Sequence, residues 1–204
     1  MDLNDLWPPL LGYLFGSVPF AVIVSRLLGL ADPRSFGSGN PGATNVLRGG
    51  NKLAALLTLL GDAAKGWLAM LVTQKVGAGE TAVALAGVAA FLGHVFPCTL
   101  RFKGGKGVAT ALGVLLGFSG LLGASVAGVW FAVAVVSRYS SLAALIAAAS
   151  APSIAMAYHA SETTVIAVSV LAVILVLRHK PNIRKLLAGT EDRIGTNKKP
   201  PEKQ

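Results

Sequence analysis

The run GVATALGVLLGFSGLLGASVAGVWFAVAVVS, residues 107–137, decides the architecture of this chain. It contains no charged residue, and one helix of that length would overshoot a bilayer core that about 20 helical residues already cross. GFSG at 117–120 is its one break. Divided there, the run gives two apolar segments, near 107–118 and 119–137. Undivided, it gives one.

Working outward from that run, polar, Gly and Pro clusters mark further apolar segments near 5–30, 53–74, 81–98, 141–158 and 163–178, which makes seven. The composition agrees with a membrane protein. Of 204 residues, 53% are hydrophobic and the mean hydropathy is +0.65, while the charged fraction of 13% is about half that of a soluble domain. Such a chain leaves little material for an extramembrane domain, so residues 1–204 are read as one membrane-embedded domain with a polar tail from about 186. Gly and Ala are abundant throughout and let helices approach closely in lipid. The fold class expected is all-α, an integral membrane bundle of seven transmembrane helices. MDLNDLWPPL at the N-terminus has two aspartates and no Lys or Arg, so it lacks the basic region of a cleavable signal peptide and the first segment is expected to stay as a helix. Cys98, the single cysteine, is read as a small apolar residue that leaves the redox compartment open.

Positive charge tests the division at GFSG, because short cytoplasmic loops carry an excess of Lys and Arg. With seven spans, all but two of the 18 basic residues fall on one side: Arg26, Arg34, Arg48 and Lys52, then Arg101, Lys103 and Lys106, then Arg138, then the segment from Arg178 to Lys203. Lys75 falls opposite and Lys65 inside a span. A six-span arrangement would move Arg138 and the basic tail to the other face. The sequence therefore predicts an outside N-terminus and a cytoplasmic C-terminus. The net charge of +9 reads as orientation and contact with anionic membrane lipids, with no nucleic-acid partner.

Four polar clusters share the basic face. GSGNPGATNVLR, residues 37–48, combines glycines that can turn consecutive N–H groups toward an anion with the hydroxyls of Ser38 and Thr44 and the forked cation Arg48. It lacks the spacing of a nucleotide-binding P-loop, and a plain Gly/Asn/Pro turn explains it equally well. GHVFPCTLRFKGGKG, residues 93–107, sets Lys106 among Gly104, Gly105 and Gly107 where a helix begins, a second place suited to phosphate. Lysines at cytoplasmic helix ends are also ordinary decoration. His94 reads either as a proton carrier or as a hydrogen-bonded interfacial residue. SRYSS at 137–141 and RHKPNIRKLLAG from Arg178 complete the set. Asp62 and Lys65, in GDAAKG, are the charged residues placed mid-span; three apart on one helical face, they are read as a self-neutralising brace, with a functional role left open. No metal site or nucleophile elbow is expected, and no cofactor. A small-anion transporter, whose polar groups would sit near the midplane, is the competing class.

In this order and spacing GSGNPGATNVLR, GHVFPCTLRFKGGKG, RYSSL and RHKPNIRKLLAG resemble the bacterial acyl-phosphate:glycerol-3-phosphate acyltransferases, the PlsY family, over nearly the whole chain. The resemblance implies a seven-helix enzyme of the bacterial inner membrane whose active site faces the cytoplasm. It would move a fatty acyl group from acyl phosphate to the sn-1 hydroxyl of glycerol 3-phosphate, giving lysophosphatidic acid and phosphate, the first acylation of phospholipid synthesis. Carried over by position, the resemblance makes Lys106, Arg48 and His179 the catalytic candidates. Ser38 and Thr44, with the backbone around Gly39 and Gly42, would grip the phosphoryl group of acyl phosphate, and Asn40 and Asn45 are further substrate-binding candidates. Arg48, Lys106, Ser141, His179 and Asn182 would surround glycerol 3-phosphate, with Gly104 a further substrate-binding candidate and Ser140 adjacent to Ser141 as a rival in a short motif. Thr190, Glu191 and Asp192 receive no role. Acyl phosphate is an activated mixed anhydride, so no covalent intermediate is needed and a substrate phosphate can take the hydroxyl proton. One complete site suffices for a monomer.

Overall fold

The computed structural model describes residues 6–195, and every regular element in it is helical. In chain order the helices are α1 (Trp7–Gly16), α2 (Phe20–Leu27), α3 (Ala43–Arg48), α4 (Lys52–Lys75), α5 (Glu80–Val95), α6 (Val108–Phe118), α7 (Gly120–Ser137), α8 (Ser140–Ala157), α9 (Glu162–Arg178) and α10 (Lys180–Leu187), with a 3-10 turn at Cys98–Leu100. The break at GFSG is present. Ser119 is extended, at φ −159°, ending α6 and accepting from Leu122 N at 3.4 Å to cap α7.

Among the described residues, five stretches are long and apolar enough to cross a membrane: Trp7–Leu27, Lys52–Lys75, Glu80–Leu100, Gly120–Ser137 and Ser140–Ala157. Glu162–Arg178 joins them when taken with Lys180–Leu187, to which it is bent by 57°. The segment expected near 107–118 is a helix, but its 11 residues reach only about 16 Å, roughly half the hydrocarbon thickness. Glycines take up the residues before it: Gly107 sits at φ +89°, a left-handed value open to a residue without Cβ. The first segment, read as one helix, is two. Pro19 donates no backbone hydrogen bond, so α1 stops at Gly16 and α2 restarts at Phe20.

The bundle is built on close backbone approach. α1 packs on α5, α4 on α6 and α5, and α8 on α7 and α9. A Cβ on Gly12 or Gly16 would collide with the Ala86 and Ala90 carbonyls of α5, and one on Gly113 with the Ala63 carbonyl of α4. Lipid gives no hydrophobic push between helices, so such contacts carry the packing. Phe91, Met70, Val114 and Leu171 fill one buried cluster and Leu122, Val126 and Val168 a second. Between these clusters and the loops that precede α3, α6 and α8, the helices part around a cavity.

Candidate active site

The cavity has a volume of about 480 Å³, within the range of ligand pockets. One end is polar. Ser38, Asn40, Gly42, Thr44 and Arg48 reach it from the first loop and α3, Lys106 from the glycine loop before α6, Ser140 and Ser141 from the start of α8, and His179 and Asn182 from the α9–α10 junction. The other end is apolar, walled by Leu56, Leu59, Leu112, Leu115, Val126 and Trp130 among others. Four sequence-distant loops thus converge on one opening between helices. Of the candidate substrate-binding residues, Gly39 and Gly104 do not line it. Gly104 is a packing position, where a Cβ would run into the His94 carbonyl and the Pro97 ring.

Hydrogen bonding changes how the first loop works. The expected cradle of N–H groups is largely closed on itself: Ser38 N donates to Asn45 Oδ1 at 3.0 Å, Gly39 N to Phe36 O at 2.9 Å and Gly42 N to Asn40 O at 2.9 Å. Asn45 is the organiser. It is 2% exposed, and its Nδ2 also donates to Pro33 O at 2.6 Å and Phe36 O at 3.2 Å. Its side chain is committed to the loop, and Ser38, Thr44 and Arg48 line the cavity together with Gly42 and Ala43. Thr44 Oγ1 and Ser140 Oγ lie 3.2 Å apart, linking this loop to α8.

Cations and acceptors alternate around the polar end. Burial pushes the Lys106 ammonium down to about 8; Glu191 opposes this, while Arg48, Lys185 and Arg178 reinforce it. An incoming dianion would meet a lysine that gains by pairing. His179 Nδ1 lies 2.8 Å from Leu175 O, a carbonyl that can only accept, so the proton is on Nδ1 and Nε2 is left as an acceptor. Asn182 Nδ2 donates to Glu191 Oε1 at 2.7 Å, which turns Oδ1 the other way; that oxygen is buried and makes no hydrogen bond among the described residues. Two cations beside two hydroxyl acceptors suit a small polyol phosphate.

The tail supplies what sequence reading passed over. Glu191 lines the cavity and its Oε1 also accepts from Ser141 Oγ at 2.8 Å. Asp192 Oδ2 stands 3.9 Å from Arg48. Ile194 N donates to Arg138 O at 2.7 Å, and Arg193 lies over the Tyr139 ring at 5.6 Å. Residues 191–194 are therefore stitched to the start of α8, and the rest of the predicted tail, from 196, lies outside the described residues. An adjacent Glu and Asp inside a basic segment was the available signal. Ser140 and Ser141 both reach the cavity, with different partners, and Lys52 lines it too.

The glycerol-3-phosphate acyltransferase family model matches residues 6–189 of this chain. Curated relatives of that name include those of Laribacter hongkongensis, 59% identical with 93% of this chain and 96% of the relative covered, and Aromatoleum aromaticum, 58% identical with 96% and 100% covered. The chain belongs to the glycerol-3-phosphate acyltransferase family. Two crystal structures of PlsY, an integral membrane glycerol 3-phosphate acyltransferase, superpose on this acyltransferase. The glycerol 3-phosphate form gives a TM-score of 0.89 at 36% identity and the lysophosphatidic acid form 0.88 at 34%, each covering 95% of this chain and 96% of the other. The acyltransferase is thus an integral membrane enzyme of phospholipid synthesis, which removes the transporter as a competing class.

Proposed function

We propose that the cavity transfers a fatty acyl group from acyl phosphate to the sn-1 hydroxyl of glycerol 3-phosphate, releasing lysophosphatidic acid and inorganic phosphate. The observation that carries this reading is the joining, in one cavity, of a cationic end to an apolar end that opens between helices. Only an amphipathic anion uses both. The relatives' names and the substrate and product forms of PlsY support the acceptor and the product; the chemistry of the site supports the donor.

In this reading Ser38, Asn40 and Thr44 hold the phosphoryl group of acyl phosphate while its chain lies along Leu112, Leu115 and Trp130. Arg48 and Lys106 hold the phosphate of glycerol 3-phosphate, and His179 Nε2 and Asn182 Oδ1 accept from its hydroxyls. The sn-1 oxygen attacks the acyl carbon, the bond from that carbon to the phosphate oxygen breaks, and the hydroxyl proton goes to the departing phosphate. Atoms and charge balance with no covalent intermediate and no cofactor. The protein's work is positional: two anions that repel each other are held in reacting distance by Arg48, Lys106 and neutral donors, and orientation of that kind is worth several kcal/mol.

Seven membrane-embedded helical segments, with α6 as the short one, an outside N-terminus and an inner-membrane location with the site facing the cytoplasm complete the proposal, supported by the side on which the basic loops fall. The protein is expected to work as a monomer.

Purified enzyme given glycerol 3-phosphate and either acyl phosphate or acyl-CoA discriminates the donor. Lysophosphatidic acid and stoichiometric phosphate are expected with acyl phosphate alone. Turnover with acyl-CoA at an equal rate would refute the donor assignment.

A further inference from the structure

Asp62, Lys65 and His94 form a buried cluster that the proposed chemistry does not use. They are 2%, 4% and 6% exposed, deep among α1, α4 and α5. Lys65 Nζ lies 2.9 Å from Asp62 Oδ1, and His94 Nδ1 lies 3.4 Å from the same oxygen. Lys65 Nζ also donates to Val18 O at 2.9 Å, a carbonyl beside the helix break at Pro19. Charge so placed is costly to keep in a membrane protein, and it lies against a particular structure.

That structure is the loop carrying Lys106. The backbone of His94 and its neighbour suspends the loop: Gly105 N donates to His94 O at 3.1 Å and Gly104 N to Val95 O at 3.2 Å. The imidazole backs it. A Cβ on Gly105 would collide with His94 Nε2, so the ring edge rests on the Gly105 backbone, one residue before Lys106. Arg178, stacked over Phe96 at 5.4 Å, reaches Gly104 O at 3.4 Å from the other side. His94 and Asp62 also line the cavity, with His94 Nε2 packed on the Gly105 backbone and Nδ1 turned to Asp62.

We infer that Asp62, Lys65 and His94 are positioning residues, a strut running from the Pro19 break to Gly105 that sets where Lys106 meets the acceptor's phosphate. The proposal rests on the reading of Lys106 as a phosphate ligand, and its test separates the two. The groups facing Lys106 are Glu191, Arg48, Lys185 and Arg178, and those facing His94 are Asp62, Lys65 and Arg178. None but the strut is altered in the experiment.

Lys106 reactivity toward an amine-acylating reagent is followed against pH by peptide mass spectrometry, with exposed Lys103 in the same loop as the internal control. In the intact enzyme Lys106 is expected to label with a midpoint near 8. In H94A, and in D62N/K65M, which removes both charges together, the loop relaxes and hydrates. The midpoint then rises, and KM for glycerol 3-phosphate increases about 10-fold or more while kcat changes less. H94N, which keeps a polar side chain beside Asp62 and the Gly105 backbone, restores most of the difference. Should H94A fail to fold, D62N/K65M gives the same readout. Unchanged labelling and KM in a folded H94A or D62N/K65M would overturn the proposal, as would a loss of kcat alone, which would make the imidazole a chemical participant. A labelling shift in H94A alongside normal turnover in K106A would leave the strut standing and refute the phosphate role of Lys106.

Discussion

Lys106→Ala lowers kcat/KM for glycerol 3-phosphate by about 10²–10³-fold and leaves the fold intact, measured by phosphate release and by the thermal unfolding midpoint. The magnitude is that of removing one preorganised donor from a site where charge is stabilised. The fold survives because Lys106 sits on a loop whose shape is held by His94, Val95 and Arg178 rather than by its own ammonium. A pH signature accompanies it. Burial, with Arg48, Lys185 and Arg178 nearby, holds the Lys106 ammonium at about 8, and a bound phosphate raises it again. Binding is therefore strongest where the lysine is charged, below pH 8, and weakens as pH rises past 8. KM for glycerol 3-phosphate climbs through that window in the wild type, and the climb is absent in Lys106→Met.

Glu191→Ala is expected to cost both activity and stability. Its Oε1 accepts from Ser141 and Asn182, at 2.8 and 2.7 Å, and hydrogen bonds to a charged group contribute about 1.5–3 kcal/mol each. Losing the carboxylate also removes the main negative charge acting on Lys106. The tail at 191–194 then loses its grip on α8, Asn182 loses the partner that fixes its amide, and the polar end is left with uncompensated cations. A lowered unfolding midpoint together with loss of turnover is the expected pair of results. Glu191→Gln retains an acceptor oxygen at the same place and is expected to fall between the two. An alanine variant with wild-type stability and kinetics would show that the tail is incidental.

The two predictions differ in how far the sequence foretold them. Lys106 stands in a glycine run at a helix start, and local composition was enough to mark it. So was the GFSG break, since Ser119 both stops one helix and caps the next. Glu191 was marked only by standing beside Asp192 in a basic segment; its partner was not legible, because a carboxylate that folds back over 50 residues to meet Ser141 follows no local period. The first loop misled in a different way. Its glycines suggested free backbone amides, but the amide side chain of Asn45 consumes one and organises the turn, work that residue type alone does not announce. Pro19 was visible and its consequence was not drawn: a proline inside an apolar run reads as a span until the two short helices are seen to meet beneath Lys65. The shortness of α6 was legible too, since the segment marked off near 107–118 is the helix Val108–Phe118.

Steady-state kinetics with both substrates varied tests the account most directly, because the proposed site holds acyl phosphate and glycerol 3-phosphate together and transfers the acyl group in one step. Intersecting double-reciprocal lines, with no acyl group trapped on the protein by denaturation in the presence of acyl phosphate alone, are the predicted result. Parallel lines and a recoverable acyl-enzyme would contradict it.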